Sequence, residues 1–116
     1  MGQEQATTSN ADRRIVRRRA LKKGVVLTVR KGTMGLGPNL SIGGVDLSDD
    51  GIQVLVKLEV KKGDEIEIGL TGIGRSKPMV LVSDVRWCRP VEDSETFLVG
   101  VKLRRRLSHQ EMGLFV

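Results

Sequence analysis

The sequence predicts an all-β fold: a six-stranded antiparallel β-barrel with a flexible basic N-terminal arm and a short C-terminal helix. Three observations carry this. Apolar and polar residues alternate with period two in several short segments. Glycine-rich turns separate those segments, with 14 Gly and only 3 Pro among 116 residues. A helix-start signal stands near the C-terminus, at Ser108 with Glu111 three positions on.

Residues 1–12 are polar, small and unpatterned, and are expected to be a disordered lead-in. The domain is expected over 13–116, with the basic arm at 13–23, the barrel at 24–104 and a C-terminal segment at 105–116. From Gly24, Val25, Leu27 and Val29 alternate with Val26, Thr28 and Arg30, the pattern of a strand. A Gly-rich stretch follows, with one short strand expected around Leu40–Ile42. Ile52, Val54, Val56, Leu58 and Val60 then share one face, which predicts a strand running to Val60. The turn Lys61-Lys62-Gly63-Asp64 leads to Ile66, Ile68 and Leu70. After the loop 71–78 comes a longer strand from Met79 to Cys88. Trp87 has the same parity as Val85 and Leu81 and is expected to plug the core. Phe97, Val99, Val101 and Leu103 make the last strand, and Ser108 and Glu111 predict a capping box opening a helix to Phe115.

The charge is concentrated. The net charge is +6, and residues 12–23 hold seven Lys/Arg against Asp12, while 24–103 hold ten Lys/Arg against eleven Asp/Glu. A near-neutral body with a basic arm attracts anions: nucleic acid, an acidic membrane surface or a phosphate-bearing small molecule. Other classes fall away. Apolar runs are too short for a membrane helix, and the first residues have no apolar secretory segment. Cys88 is the only cysteine, so no internal disulfide forms, as a reducing cytoplasm would allow. His109 is the only histidine, which leaves no Cys/His zinc set. With no Tyr and only Trp87, Phe97 and Phe115 as large aromatics, the composition weakens any reading built on rows of aromatics that stack single-stranded bases.

Catalysis finds no foothold. Glu65 and Glu67 lie on a solvent-facing strand pattern, and Glu92, Asp93 and Glu95 fall in a polar loop. No GxxxxGK[ST] phosphate loop exists. Two constellations remain. Arg13, Arg14, Arg17, Arg18 and Arg19 contain RxxxR twice, as Arg13/Arg17 and Arg14/Arg18. Arginine's planar fork suits phosphate oxygens and the O6/N7 edge of guanine. Asp46, Ser48 and Gly51 form DxSxxG just before the most regular strand. There a carboxylate can accept from guanine N1–H and its amino group, a hydroxyl can donate or accept, and a glycine permits positive φ or close ligand approach.

RxxxR followed about thirty residues later by DxSxxG, with one strand between, resembles the PilZ domain family of bacterial cyclic di-GMP receptor domains. The resemblance covers roughly residues 12–104 and extends to Val85-Arg86-Trp87 and Leu98-Val99-Gly100-Val101. It implies the barrel fold with a C-terminal helix, and a ligand site made from Arg13, Arg14, Arg17, Arg18, Asp46, Ser48 and Gly51. The two RxxxR registers overlap, and the resemblance does not choose between them. Asn39-Leu40-Ser41-Ile42-Gly43-Gly44 also fits [D/N]xSxxG, but the copy at Asp46 has the family's spacing to the following strand.

The function implied is a bacterial second-messenger receptor that is not an enzyme and needs no cofactor or metal. Its ligand would be cyclic di-GMP, its arm would order over that ligand, and its output would go to a partner protein in the cytoplasm, without membrane insertion. Two alternatives stand beside it: a nucleic-acid-binding barrel with a basic arm, and a PilZ-like interaction module that binds no nucleotide. The first explains the charge of the arm but not the carboxylate of Asp46 beside an anion site.

Overall fold

Alternating β-branched and polar residues build the longer strands, and these turn one apolar set inward. The computed structural model describes residues 18–32 and 34–116. Its strands are β1 (Arg19–Ala20), β2 (Val26–Lys31), β3 (Ser41–Leu47), β4 (Gly51–Val56), β5 (Glu65–Thr71), β6 (Met79–Pro90) and β7 (Phe97–Leu103), followed by helix α1 (His109–Phe115). They form one seven-stranded antiparallel sheet in the order β1-β3-β4-β7-β6-β5-β2. The sheet curls until β2 meets the segment leading into β3. There Leu40 N–H donates to Val29 O at 2.7 Å, and Val29 N–H donates to Asn39 Oδ1 at 2.9 Å.

The inside of the curl is dry. Val29, Leu47, Ile52, Val54, Ile66, Ile68, Val85 and Val99 are all fully buried, and Phe115 of α1 reaches into the same core. Burying a side chain of that size contributes roughly 1.5–3 kcal/mol. The capping box at Ser108 forms as expected: Glu111 N–H donates to Ser108 Oγ at 3.1 Å, and Ser108 N–H donates to Glu111 Oε1 at 2.9 Å. Arg105 grips the same Glu111 carboxylate through both Nη atoms, at 2.9 and 3.0 Å.

Three expectations are corrected. The strand count is seven, because Arg19–Ala20 at the end of the arm pairs with Asp46 and Leu47 of β3. The strand expected around Leu40–Ile42 runs on to Leu47, so Asp46 lies in a strand. The strand expected to reach Val60 stops at Val56, and Leu58 is 56% exposed. The cause is the length of its neighbours. Val56 faces Ser41, the first residue of β3, on one side and Phe97, the first residue of β7, on the other. Beyond Val56 only one further bond follows, Lys57 N–H donating to Leu40 O at 3.0 Å, and the chain then bends despite its alternating pattern. The lead-in expected at 1–12 and most of the basic arm lie outside the described residues.

Candidate functional site

The sequence motif at Asp46 is the β3–β4 hairpin. Ser48 N–H donates to Gly51 O at 2.9 Å and closes the turn. The Ser48 hydroxyl lies 3.3 Å from Asp50 Oδ1 and 3.3 Å from Gly51 O. Ser48 is 1% exposed, so its side chain sits beneath the turn and fixes it. In this structure the hydroxyl is engaged by its own hairpin. Gly51 is buried, and its φ is not positive. Its lack of a side chain matters for space: a Cβ there would stand 3.0 Å from Val101 O and 3.9 Å from Arg18 Nη2. The tight neighbour is the Val101 carbonyl, which a side chain at this position would crowd.

The arm reaches this hairpin through β1. Arg19 pairs with Leu47 and Ala20 with Asp46, which brings Arg18 beside the motif. Arg18 Nη1 donates to Asp46 Oδ1 at 3.0 Å. The Leu21 side chain lies over Gly44, where a Cβ would collide with it. Lys22 then ties the arm to α1: its N–H donates to Phe115 O at 2.7 Å and its Nζ to Gly113 O at 2.7 Å. Residues 18–22 thus span from the hairpin to the C-terminal helix. The described end of the arm is docked on the body of the domain.

Next to the hairpin lies an open cavity of about 410 Å³. Arg18, Asp50, Gly51 and Lys102 line it on the side of the hairpin, and Lys62 and Arg86 line it on the side of β6. Trp87 and Gly100 form its floor. Trp87 is not a core plug. A register shift between Val85 and Trp87 places Val85 opposite Val101 and Trp87 opposite Gly100. A β-bulge of this kind re-aims side chains, so Val85 stays buried while Trp87 is turned out to half-burial. The indole lies against Gly100, whose missing Cβ leaves the room the ring occupies. Arg89 stacks over the ring, with its guanidinium carbon 4.5 Å from the centroid.

Among the ion pairs of the described residues, Lys102 approaches Asp50 at 3.8 Å and Arg106 approaches Asp49 at 3.5 Å. Below the rim, Arg104 clamps Asp84 through two bonds, at 3.1 and 2.8 Å, and also bonds Glu65. Asp84 and Glu65 are cross-strand neighbours whose like charges would repel, so Arg104 neutralises the pair. The Arg104 hydrogen bonds hold the Asp84 carboxyl below its usual range. This trio fastens β5, β6 and β7 together.

Of the seven residues expected at the site, Arg18 and Gly51 line the cavity, Asp46 reaches it through Arg18, and Ser48 supports the hairpin. Arg13, Arg14 and Arg17 lie outside the described residues. The rival motif residue Asn39 is occupied structurally, its Oδ1 accepting from Val29 N–H at 2.9 Å and Ser41 N–H at 3.0 Å. Sequence reasoning missed Lys62, Arg86, Trp87, Gly100 and Lys102. The signal available for Trp87 was a glycine at the matching depth of the next strand. Among the described residues no cluster of His, Cys, Asp and Glu could hold a metal, and no helix is long and apolar enough to cross a membrane.

A curled antiparallel sheet, with the described end of a basic arm docked at a cationic rim beside Trp87, defines a small β-barrel-like domain. The sequence matches the PilZ domain over residues 12–115, and the chain belongs to that family. PilZ domains are receptor or effector domains. The fold is similar to that of the Bacillus subtilis inhibitor of motility (MotI/DgrA), with a TM-score of 0.60 at 15% identity. That likeness covers 89% of this chain and 47% of the other, so the chain spans about half of that protein's structure. A search of curated proteins finds no significant match.

Proposed function

We propose that this domain is a non-enzymatic receptor for cyclic di-GMP, acting in the cytoplasm and passing ligand occupancy to a protein partner. The observation that carries this reading is the meeting of Arg18, Asp46 and Trp87 at one rim, in a family of cyclic di-GMP-related domains. Each fits a part of the ligand. Arg18 uses Nη1 on Asp46, and its guanidinium keeps further donors for a phosphate oxygen or a guanine Hoogsteen edge. Asp46 offers a carboxylate to guanine N1–H and its amino group. Trp87 supplies a face on which a base can stack.

In this reading Arg13, Arg14 and Arg17 close over the ligand as the arm orders, and charge-assisted bonds of about 1.5–3 kcal/mol each offset the entropy of ordering it. The strap from Arg18 to Lys22 offers a path from the cavity to α1, where a partner would sense the change. Likeness of fold to an inhibitor of motility supports a regulatory role. No cofactor takes part.

Titration calorimetry with cyclic di-GMP, using cyclic GMP and single-stranded RNA as controls, tests the reading. Saturable binding of cyclic di-GMP alone is the expected result. Tighter binding of RNA would replace the receptor with a nucleic-acid-binding barrel. Binding of neither would leave a PilZ-like interaction module.

A further inference from the structure

We propose that Lys62 and Arg86 form a second phosphate subsite on the barrel itself, facing the arm across the cavity. The inference rests on the receptor reading and assigns a role to two residues outside both motifs. Two structural devices put these cations where they are. The turn after Lys61 is a β-turn closed by Asp64 N–H donating to Lys61 O at 2.9 Å, and Lys61 N–H donates back to Asp64 Oδ2 at 2.9 Å. That turn is docked on β6 at the bulge: Gly63 N–H donates to Val85 O at 2.8 Å, and Val85 N–H donates to Asp64 O at 2.9 Å. Lys62 is thereby held beside the strand position that precedes Arg86. The bulge between Val85 and Trp87 turns both Arg86 and Trp87 toward the cavity that Lys62 also lines.

The charges left over distinguish the two sides of the cavity. Arg18 is paired with Asp46, and Lys102 lies near Asp50. Lys62 and Arg86 form no ion pair with the described residues, although both line a cavity whose one acidic lining residue is Asp50. Arg86 influences Asp84 only through space. A cyclic dinucleotide carries two phosphates on opposite sides of its ring. The arm can reach one from the hairpin side, and the other then faces the turn of Lys62 and the bulge of Arg86. Arg86 offers a bidentate fork and Lys62 a mobile point charge, the usual complementary pair for a phosphodiester.

The test first compares three proteins by titration calorimetry with cyclic di-GMP at one low and one high salt concentration. These are the wild type, Lys62→Gln/Arg86→Gln, and Arg75→Gln/Lys77→Gln, which loses the same charge from residues lining other cavities. Both side chains of each pair are exposed, so thermal unfolding is expected to stay the same. Loss of at least tenfold in affinity is expected for the first variant, with a weaker salt dependence, against less than twofold for the second. The charge-preserving Lys62→Arg/Arg86→Lys is expected to recover most of the loss. Wild-type affinity in Lys62→Gln/Arg86→Gln would overturn the subsite while the receptor reading stood. Equal losses in both Gln variants would overturn it too, since only net charge would matter. A wild type that does not bind cyclic di-GMP would remove both.

Discussion

Arg18 Nη1 donates to Asp46 Oδ1 at 3.0 Å, joining the end of the basic arm to a carboxylate 28 residues further on. A residue from each of the two motifs that mark the sequence therefore meets the other. The pair is half-exposed, and such pairs contribute about 0–1 kcal/mol to stability. Its value is in placement. It holds a guanidinium over Gly51 with donors to spare.

Removing this pair separates binding from folding. Arg18→Ala, and more so Arg14→Ala/Arg18→Ala, is expected to weaken cyclic di-GMP binding at least tenfold. Thermal unfolding should shift by less than about 5 °C, because an exposed pair contributes so little. Calorimetric titration and scanning on the same samples check both halves. If affinity is retained, Arg13→Ala/Arg17→Ala tests the other register.

The two serine motifs are expected to fail in different ways. Asp46→Ala should lose about five- to 150-fold in affinity, since a guanine edge is left without its acceptor, a loss of roughly 1–3 kcal/mol. Asn39→Ala should leave affinity nearly unchanged but destabilise the fold by about 1–3 kcal/mol, because Val29 N–H loses its acceptor at a part-buried site. Urea unfolding and titration of both variants distinguish the outcomes. Stronger loss of affinity in Asn39→Ala would move the site to the upstream motif.

Trp87 provides its own reporter, as the only tryptophan in the chain. Gly100→Ala places a methyl group where the indole lies, and the ring must move. A red shift and a change in intensity of tryptophan emission are expected, with weakened nucleotide binding. Trp87→Ala should lose roughly 1–3 kcal/mol of stacking, about five- to 150-fold in affinity. Cyclic di-GMP that left Trp87 emission untouched in the wild type would speak against a stacked base.

Acid should release α1 before the barrel. The Arg105 fork, then the Ser108 backbone N–H, hold the Glu111 carboxyl at about 2, below its ordinary 4.5. A carboxylate depressed in the folded state stabilises it above the ordinary value, and that support is lost as pH falls from about 4.5 toward about 2. Amide protection factors in 109–115, followed from pH 6 to pH 2.5, should fall over that window. Glu111→Gln is expected to raise exchange at pH 6 and to flatten the dependence. Equal protection at both ends in the wild type would count against the Arg105–Glu111 clamp.

Sequence alone determined what depends on near neighbours. Period-two alternation marked the strands, because successive side chains of a strand point to opposite faces wherever it sits. The capping box at Ser108 and Glu111 was legible for the same reason, since its partners are three residues apart. The all-β class and the motif at Asp46 followed from such short-range patterns. Tertiary structure decided the rest. Ile52 to Val60 alternates throughout, yet the strand ends at Val56, where its neighbours on both sides begin. Trp87 has the parity of a core residue, yet a bulge turns it outward against Gly100. The cavity gathers Arg18, Gly51, Lys62, Arg86 and Lys102 from five separate parts of the chain. A side chain's face depends on every residue inserted into its ladder, and a cavity depends on how far the sheet curls, so neither is written in local periodicity.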